Sequence, residues 1–382
     1  MRILFLIPHP QEGASSRYRV LQYVPHFEAR GIRCTVSSFL SPRFYQIAYQ
    51  PGRWIEKTGR LLLSSLRRLR DVARSRRYDA IFIHWEAFPL GPPWVEEFLS
   101  RHHVPFIFDM DDAIFLPRNH DAHPVIQWLR MPQKLPSILR WSRHVITGND
   151  YLRRYAQQFT PRVSTIPTCV DTRQFTVPAD KPQRQRPVIG WIGSHSTFRY
   201  LEILKPVLRR IADRHPFIFK IVGVVQPFRV PGVEVVQEPW TLATDVAQFQ
   251  DLDIGVYPLP DDPWVLGKAG FKAIQYMAVG VPCVASGVGR TREIIQDGVN
   301  GLLAHSAVEW YQKLESLLTD PALRMQIGLA GRRTVEREFA TARYISAYVD
   351  IFQRVAGRRA VTTRDPAQDV VSSTVALPTS VS

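Results

Sequence analysis

In the run GKAGFKAIQ (267–275), Gly267 and Gly270 flank Lys268, and Lys272 follows four residues later. Residues four apart share one face of a helix. A helix start offers backbone N–H groups to an anion, and glycine leaves them unobstructed. A diphosphate suits that combination, with Gln275 one turn on to bond hydroxyls. The same spacing also fits a solvated lysine pair on a surface helix. A second stretch, GWIGSHSTFRYLE (190–202), places Gly190 and Gly193 at a tight turn after a strand. Backbone and hydroxyl groups at Ser194, His195, Ser196 and Thr197 suit a phosphate. Ser196 or Thr197 capping a helix is the plainer use. In EGASSRYR (12–19), Gly13, Ser15 and Ser16 allow close backbone approach, and Arg17 and Arg19 aim donor forks at a cleft. An N-capped helix with surface arginines fits equally. FDMDDAIF (108–115) ends a strand with Asp109, Asp111 and Asp112. Asp111 or Asp112 suits a base or an orienter of a hydroxyl. Alternatively one caps a helix and another pairs with Arg17, Arg19 or Arg118. His84, in FIHWEAF (82–88), also stands at a strand end, as a ligand contact or a satisfied half-buried ring.

These residues need elements to position them. Apolar runs predict strands at 2–7, 33–39, 80–83, 105–109, 143–147 and 163–166, with helical segments between, the first over about 17–30. PADKPQRQRP (178–187) reads as a linker. Strands then recur at 188–192, 217–222, 233–236, 253–257, 281–285 and 301–303, and helices follow from 307, 321 and about 341. Alternating strands and helices predict an α/β chain with two doubly wound parallel sheets. The expected division is residues 1–177 and 188–340, with a helix over 341–356 crossing back to the first unit and a disordered tail over 357–382. Ligands in such sheets bind beyond the carboxyl ends of the strands, here in the cleft between the two units.

The chain has 382 residues, 49 Lys plus Arg, 34 Asp plus Glu, and a net charge of +15. That excess bears on partners, not on fold. Residues 1–180 hold 25 basic and 15 acidic residues. Residues 53–77 alone carry nine basic and two acidic ones. At helical pitch, Leu61, Leu62, Leu66, Leu69, Val72 and Ala73 fall on one arc and Arg60, Arg67, Arg70 and Arg74 on the other. The leucines are expected to pack on the sheet and the arginines to face anionic head groups. WLRMPQKLPSILRWSRH (128–144) extends the basic surface. The three cysteines are scattered and odd in number, which fits a reducing compartment rather than a disulfide framework. RILFLI (2–7) is too short for a secretion signal, and no stretch reads as a membrane span. Without a helix-turn-helix or RNA-binding motif, the charge is not expected to serve nucleic acid.

The run FKAIQYMAVGVPCVAS…G…TREIIQDGVNGLL (271–303) resembles the donor-binding signature of the family 4 (group 1) glycosyltransferases, which have the GT-B fold of two Rossmann-like domains facing a cleft. RILFLIP at the start and VSTIPTCVDTRQF (163–175) resemble further segments of that family. The resemblance implies transfer of a sugar from a nucleotide-sugar donor to a glycan or lipid-linked hydroxyl, with retention, in polysaccharide or cell-envelope synthesis. It implies a metal-independent enzyme without a cofactor, the nucleotide sugar being a substrate. Asp109-Met110-Asp111 is similar to the metal-binding Asp-x-Asp of another glycosyltransferase fold, and is not read as such here. The implied donor contacts are Gly193, Ser194, Thr197, Lys268, Gly270, Phe271, Lys272, Gln275 and Glu293. Gly13, Arg17, Arg19, His84 and Asp109 are implied on the acceptor side. Asp111, Asp112, Lys268 and Lys272 are the catalytic candidates. The family's two glutamates, separated by seven residues, are replaced here by Gly267 and Gln275, which leaves room for a non-catalytic nucleotide-sugar-binding or partner-binding protein. A lipid-linked acceptor would place the enzyme peripherally on the cytoplasmic face of the plasma membrane.

Overall fold

The computed structural model describes residues 1–48, 50, 52–116, 131–181 and 184–357. Arg118, residues 128–130 of the second basic stretch and the tail beyond 357 lie outside the described residues. The first half contains strands β1 (Arg2–Ile7), β2 (Arg33–Ser38), β3 (Ala80–His84), β4 (Phe106–Met110), β5 (His144–Thr147) and β6 (Val163–Thr165). Its helices are α1 (Ala14–Arg19), α2 (Val24–Glu28), α3 (Pro42–Ala48), α4 (Trp54–Ala73), α5 (Trp94–Arg101), α6 (Leu135–Trp141) and α7 (Asp150–Gln157). The second half contains β7 (Val188–Ile192), β8 (Ile218–Val222), β9 (Glu234–Glu238), β10 (Ile254–Tyr257), β11 (Cys283–Ser286) and β12 (Leu302–Ala304). Its helices are α8 (His195–Phe198), α9 (Lys205–Ala212), α10 (Asp245–Gln250), α11 (Pro263–Leu266), α12 (Phe271–Ala278), α13 (Thr291–Ile294), α14 (Ala307–Thr319), α15 (Pro321–Glu338) and α16 (Thr341–Val355).

Each half folds as a six-stranded parallel sheet, in the orders β2-β1-β3-β4-β5-β6 and β12-β11-β10-β7-β8-β9. The strand order reverses beside β1 in one sheet and beside β7 in the other, so each sheet opens a crevice there. β3, β4 and β7 are buried along their whole length because helices cover both faces of each sheet. On the first sheet, one face packs Leu4, Leu6, Ile83 and Phe108 with Val95, Leu139 and Leu152 of the neighbouring helices. The other packs Phe5, Phe82 and Ile146 with Phe27 of α2 and with Ile345, Tyr348 and Phe352 of α16. Phe352 stands 5.1 Å from Phe27 and 6.0 Å from Phe5 between ring centres, so the last described helix packs on the first sheet.

Three local expectations change. The helix expected over 17–30 is broken into α1, a 3-10 turn at Leu21–Tyr23, and α2. Pro25 lacks an N–H and its ring would collide with the preceding turn, so the helix restarts with Pro25 in its first turn. Gly190 lies within β7 rather than at a turn. A Cβ there would come within 2.2 Å of the Leu252 side chain, so the strand needs glycine for packing. The third change concerns α4, whose leucines do not pack inward. Its buried positions are Ser64, Arg68 and Val72, while Leu62, Leu63, Leu66 and Leu69 are 61%, 67%, 53% and 49% exposed. Arg68 sets this rotation. Its Nη2 reaches the carbonyls of Ile7 and Ser37 at the ends of β1 and β2, each at 3.4 Å.

Candidate functional site

The lysine run lies where the second sheet opens. α11 is capped by Asp262, whose Oδ1 accepts from the Trp264 amide at 2.7 Å. The chain then turns through Gly267 and Lys268 to Gly270, which stands at the N-cap of α12 with φ 66°. That left-handed backbone is why glycine is needed at 270. A Cβ on Gly267 would lie 2.5 Å from Cβ of Ala113 and 2.7 Å from its amide, so the loop after β4 rests directly on this turn. Asn149, the N-cap of α7, holds the same turn from the first sheet. Its Nδ2 donates to the carbonyls of Leu266, Gly267 and Lys268 at 3.3, 3.1 and 3.3 Å.

Lys272 is half-buried on α12, its Nζ 5.9 Å from the Trp191 ring centre and 5.7 Å from that of Tyr257. Burial and, after it, the Lys268 charge lower its pKa to about 8, with Asp112 pulling the other way. Two lysines and a carboxylate from the opposite sheet therefore share one field. The 190–202 loop borders it. Gly193 packs on the Trp191 ring, where a Cβ would come within 2.3 Å. Ser194, not Ser196 or Thr197, occupies the N-cap of α8, and Ser194 Oγ lies 3.0 Å from Ser196 Oγ. The Thr197 hydroxyl is turned back to the Ser194 carbonyl at 3.3 Å. Gln275 is buried, and its Nε2 donates to the Tyr18 hydroxyl at 3.2 Å. Glu293 is not drawn in. It pairs with Arg290 at 2.9 Å and lines a separate cavity of about 300 Å³ with Asp150, Thr165 and Arg343.

The first sheet contributes a buried polar chain. Arg19 and Asp109 do not face the cleft, contrary to the expectation for both. They are fully buried and paired, Nε to Oδ2 at 3.2 Å with a second contact from Nη2 to Oδ1. Arg19 also donates to the Ile166 carbonyl at 2.6 Å. Helix phase explains this: α1 turns Arg19 under the sheet and Arg17 out of it. Burial alone would raise the Asp109 carboxyl, but Arg19 and His84 hold it below the usual carboxylate range. His84 Nδ1 meets that carboxylate at 2.7 Å, so Nδ1 carries the proton. Its Nε2 then faces the Ser15 hydroxyl. Gly13 lets α1 begin here, since a Cβ would come within 2.3 Å of His9 Cβ.

Asp111 is held next to this chain. Trp85 Nε1 donates to its Oδ1 at 2.6 Å, and that oxygen stands 4.0 Å from His84 Nε2. Trp85 adopts φ 65°, a strained backbone for so bulky a residue. Arg17 crosses to the other sheet, where it pairs with Asp245 at 3.1 Å and stacks 4.9 Å from the Trp240 ring centre. Tyr18 donates to the same Asp245 at 2.7 Å, and its ring lies 4.5 Å from that of Phe271. The sheets thus meet through Arg17, Tyr18, Ala113 and Asn149 on one side and Asp245, Gly267, Phe271 and Gln275 on the other. Sequence reading missed Tyr18, Trp85, Asn149 and Asp245. Tyr18 sat inside a motif read for its arginines; the other three carry no local pattern. Among the described residues no group of three or more His, Cys, Asp or Glu side chains is arranged to hold a metal ion.

Residues 18–174 match the family model described as Glycosyltransferase Family 4, and residues 186–320 match the one described as Glycosyl transferases group 1. The chain belongs to the family 4 glycosyltransferases. A D-inositol 3-phosphate glycosyltransferase of Xylanimonas cellulosilytica is 34% identical to this chain over 239 residues, 56% of each chain. An alpha-maltose-1-phosphate synthase of Mycolicibacterium smegmatis is 31% identical over 243 residues, 54% of this chain and 60% of that one. The chain therefore spans less than two thirds of the length of these relatives. Among solved structures, a glycosyltransferase from Rickettsia africae superposes with a TM-score of 0.68 at 13% identity, covering 93% of this chain and 98% of that one. Anabaena HepE in complex with UDP-glucose gives 0.66 at 14%, covering 93% and 100%. At such identities the likeness shows the fold, which is GT-B.

Proposed function

We propose that this glycosyltransferase moves a sugar from a nucleotide-sugar donor to a hydroxyl of a glycan or lipid-linked acceptor, with retention, in polysaccharide or cell-envelope synthesis. One observation carries the reading: Lys268 and Lys272 stand at the start of α12, with Lys272 in the field of Asp112 from the facing sheet. Cations fixed there stabilise the diphosphate as it leaves, where negative charge grows in the transition state. Gly193, Ser194 and the amides after Gly270 complete the diphosphate cradle. Phe271 and Thr197 border it. Asp111, held by Trp85, orients the acceptor hydroxyl, and Asp112 faces Lys272. His84 and Ser15 shape the acceptor side through their hydrogen bond, while Arg19 and Asp109 hold His84 in place from below. Glu293 acts on its loop and Arg290 rather than on the donor. The division into residues 1–177, a linker and residues 188–340 gives the cleft a hinge. Closure of the cleft excludes water and limits donor hydrolysis.

UDP-glucose is the first donor to test, because HepE, which shares the fold, was crystallised with it. A thermal-shift panel of UDP-, GDP-, ADP- and dTDP-sugars reads donor binding directly, since a bound ligand stabilises the native state by mass action. One nucleotide is expected to raise Tm, and Lys268→Glu is expected to abolish that shift and the transfer. Transfer that survives Lys268→Glu would refute the assignment. The basic first half and the net charge of +15 further favour work at an anionic membrane surface, on a lipid-linked acceptor. The contact proposed is peripheral; among the described residues no helix is long and apolar enough to cross a membrane.

A further inference from the structure

α4 presents its leucines to solvent. Trp54, Ile55, Leu62, Leu63, Leu66 and Leu69 are 72%, 92%, 61%, 67%, 53% and 49% exposed. At 100° per residue, Ile55, Leu62, Leu66 and Leu69 form one stripe, continued by the exposed Ala73. The stripe runs about 27 Å along the helix. Polar contacts on the opposite face fix this rotation. Arg68 reaches the Ile7 and Ser37 carbonyls, Arg67 donates to the Phe39 carbonyl at 2.9 Å, and Asp71 accepts from the Ser37 hydroxyl at 2.5 Å. Turning the leucines inward would break all of these, so the exposed stripe is a property of the fold.

Charge identifies what covers it. Arg70 and Arg74 flank the stripe, and Arg76 and Arg77 are exposed just past the helix end. The helix's two carboxylates are taken elsewhere: Glu56 by Arg43 and Arg60 at 3.2 and 3.0 Å, and Asp71 by Ser37. A second copy of this chain seated on the stripe would set arginines against arginines. An apolar stripe with cations along its edge matches an anionic bilayer, whose acyl boundary takes leucine and whose phosphates take arginine. Trp54, at the helix start, suits the head-group level.

We infer that α4 is an interfacial membrane helix that lies in the bilayer plane and inserts the Ile55–Leu62–Leu66–Leu69 stripe into an anionic leaflet. The inference rests on the reading of an enzyme working at a membrane, and it specifies the contact: the leucines insert and the arginines pair with phosphates around them. The crevices of the sheets, at the carboxyl ends of their strands, would then stay close to the lipid surface, since Arg68 ties α4 to the carboxyl ends of β1 and β2.

Flotation of the full chain tests it, with vesicles of phosphatidylcholine alone or mixed with phosphatidylglycerol. The wild type is expected to float with the mixed vesicles. Leu62→Glu/Leu66→Glu is expected to lower that partition by about tenfold or more, because each inserted methylene contributes to binding. Leu62→Ser/Leu66→Ser, the milder variant, is expected to act in the same direction. Both should melt at the wild-type temperature, since the stripe contributes no core contacts. A wild type that binds neither vesicle overturns the membrane reading altogether. Wild-type binding that both leucine variants retain overturns this inference while leaving the membrane reading in place. Wild-type dimers in sedimentation that dissociate in the leucine variants would assign the stripe to a protein interface and overturn it too.

Discussion

Lys272 carries the clearest consequence at the scale of a single residue. Burial and the Lys268 charge set its pKa to about 8 in the folded chain, below the ordinary lysine value. The folded state then binds fewer protons than the unfolded state above about 8, so stability rises with pH over that interval. A diphosphate has the opposite preference, since it selects the protonated lysine. Nucleotide affinity is therefore expected to hold below pH about 8 and to fall by up to about tenfold per pH unit above it, until the pKa of the bound state is reached. Titration calorimetry with UDP across that range reads the step. Lys272→Arg should remove it, because a guanidinium stays charged throughout. A pH-independent wild-type affinity would separate Lys272 from the phosphates. The sequence disclosed this lysine and its spacing from Lys268, but not its environment. Trp191 and Tyr257 come from other strands, and nothing local predicts that they wall it in.

At the scale of elements, the strands were legible because buried parallel strands are short apolar runs, and the alternation with helices gave the order of both halves. α4 was not legible in the same way. Its periodicity showed two arcs correctly, yet the inward arc could not be read from apolarity, because Arg68 occupies a buried position and four leucines face out. Arg68 has a lowered pKa of about 10 from burial, and its Nε and Nη1 have no hydrogen-bond partner. A buried cation with only two long carbonyl contacts contributes little net stability, and an apolar residue of similar length is often neutral or stabilising there. Arg68→Met is accordingly expected to change unfolding free energy by no more than about 1 kcal/mol, or to raise it. Arg68→Ala should lower it by about 2–4 kcal/mol through the cavity left behind. Urea denaturation distinguishes them. Equal losses in both variants would mean that the two carbonyl bonds, rather than side-chain volume, hold α4 against the sheet.

At the scale of the whole molecule, polar contacts clasp the sheets at the cleft around Tyr18, whose ring also packs with the apolar core of the second sheet. Tyr18 stands at the centre, donating to Asp245 and accepting from Gln275, while Arg17 adds an ion pair to the same Asp245. Asn149 closes the other end on the Leu266–Lys268 carbonyls. The chain's pairing of these residues is long-range, which is why the motif around residue 18 was readable only as a cluster of arginines. Tyr18→Phe keeps the ring on Phe271 but leaves Asp245 and the Gln275 amide each short of one partner. Such a loss is expected to disfavour the closed arrangement by about 1–3 kcal/mol. Neither sheet loses core packing, so the effect should appear between the halves. The expected result is a larger radius of gyration in solution scattering without nucleotide, with the wild-type value restored by saturating donor, because binding that favours closure repays the shift. Donor affinity should weaken in proportion to the closed population lost, and Asn149→Ala should do the same from the other end. An unchanged radius of gyration together with a lowered unfolding temperature would show instead that Tyr18 serves the core of the second sheet, and that the cleft is held shut by other contacts.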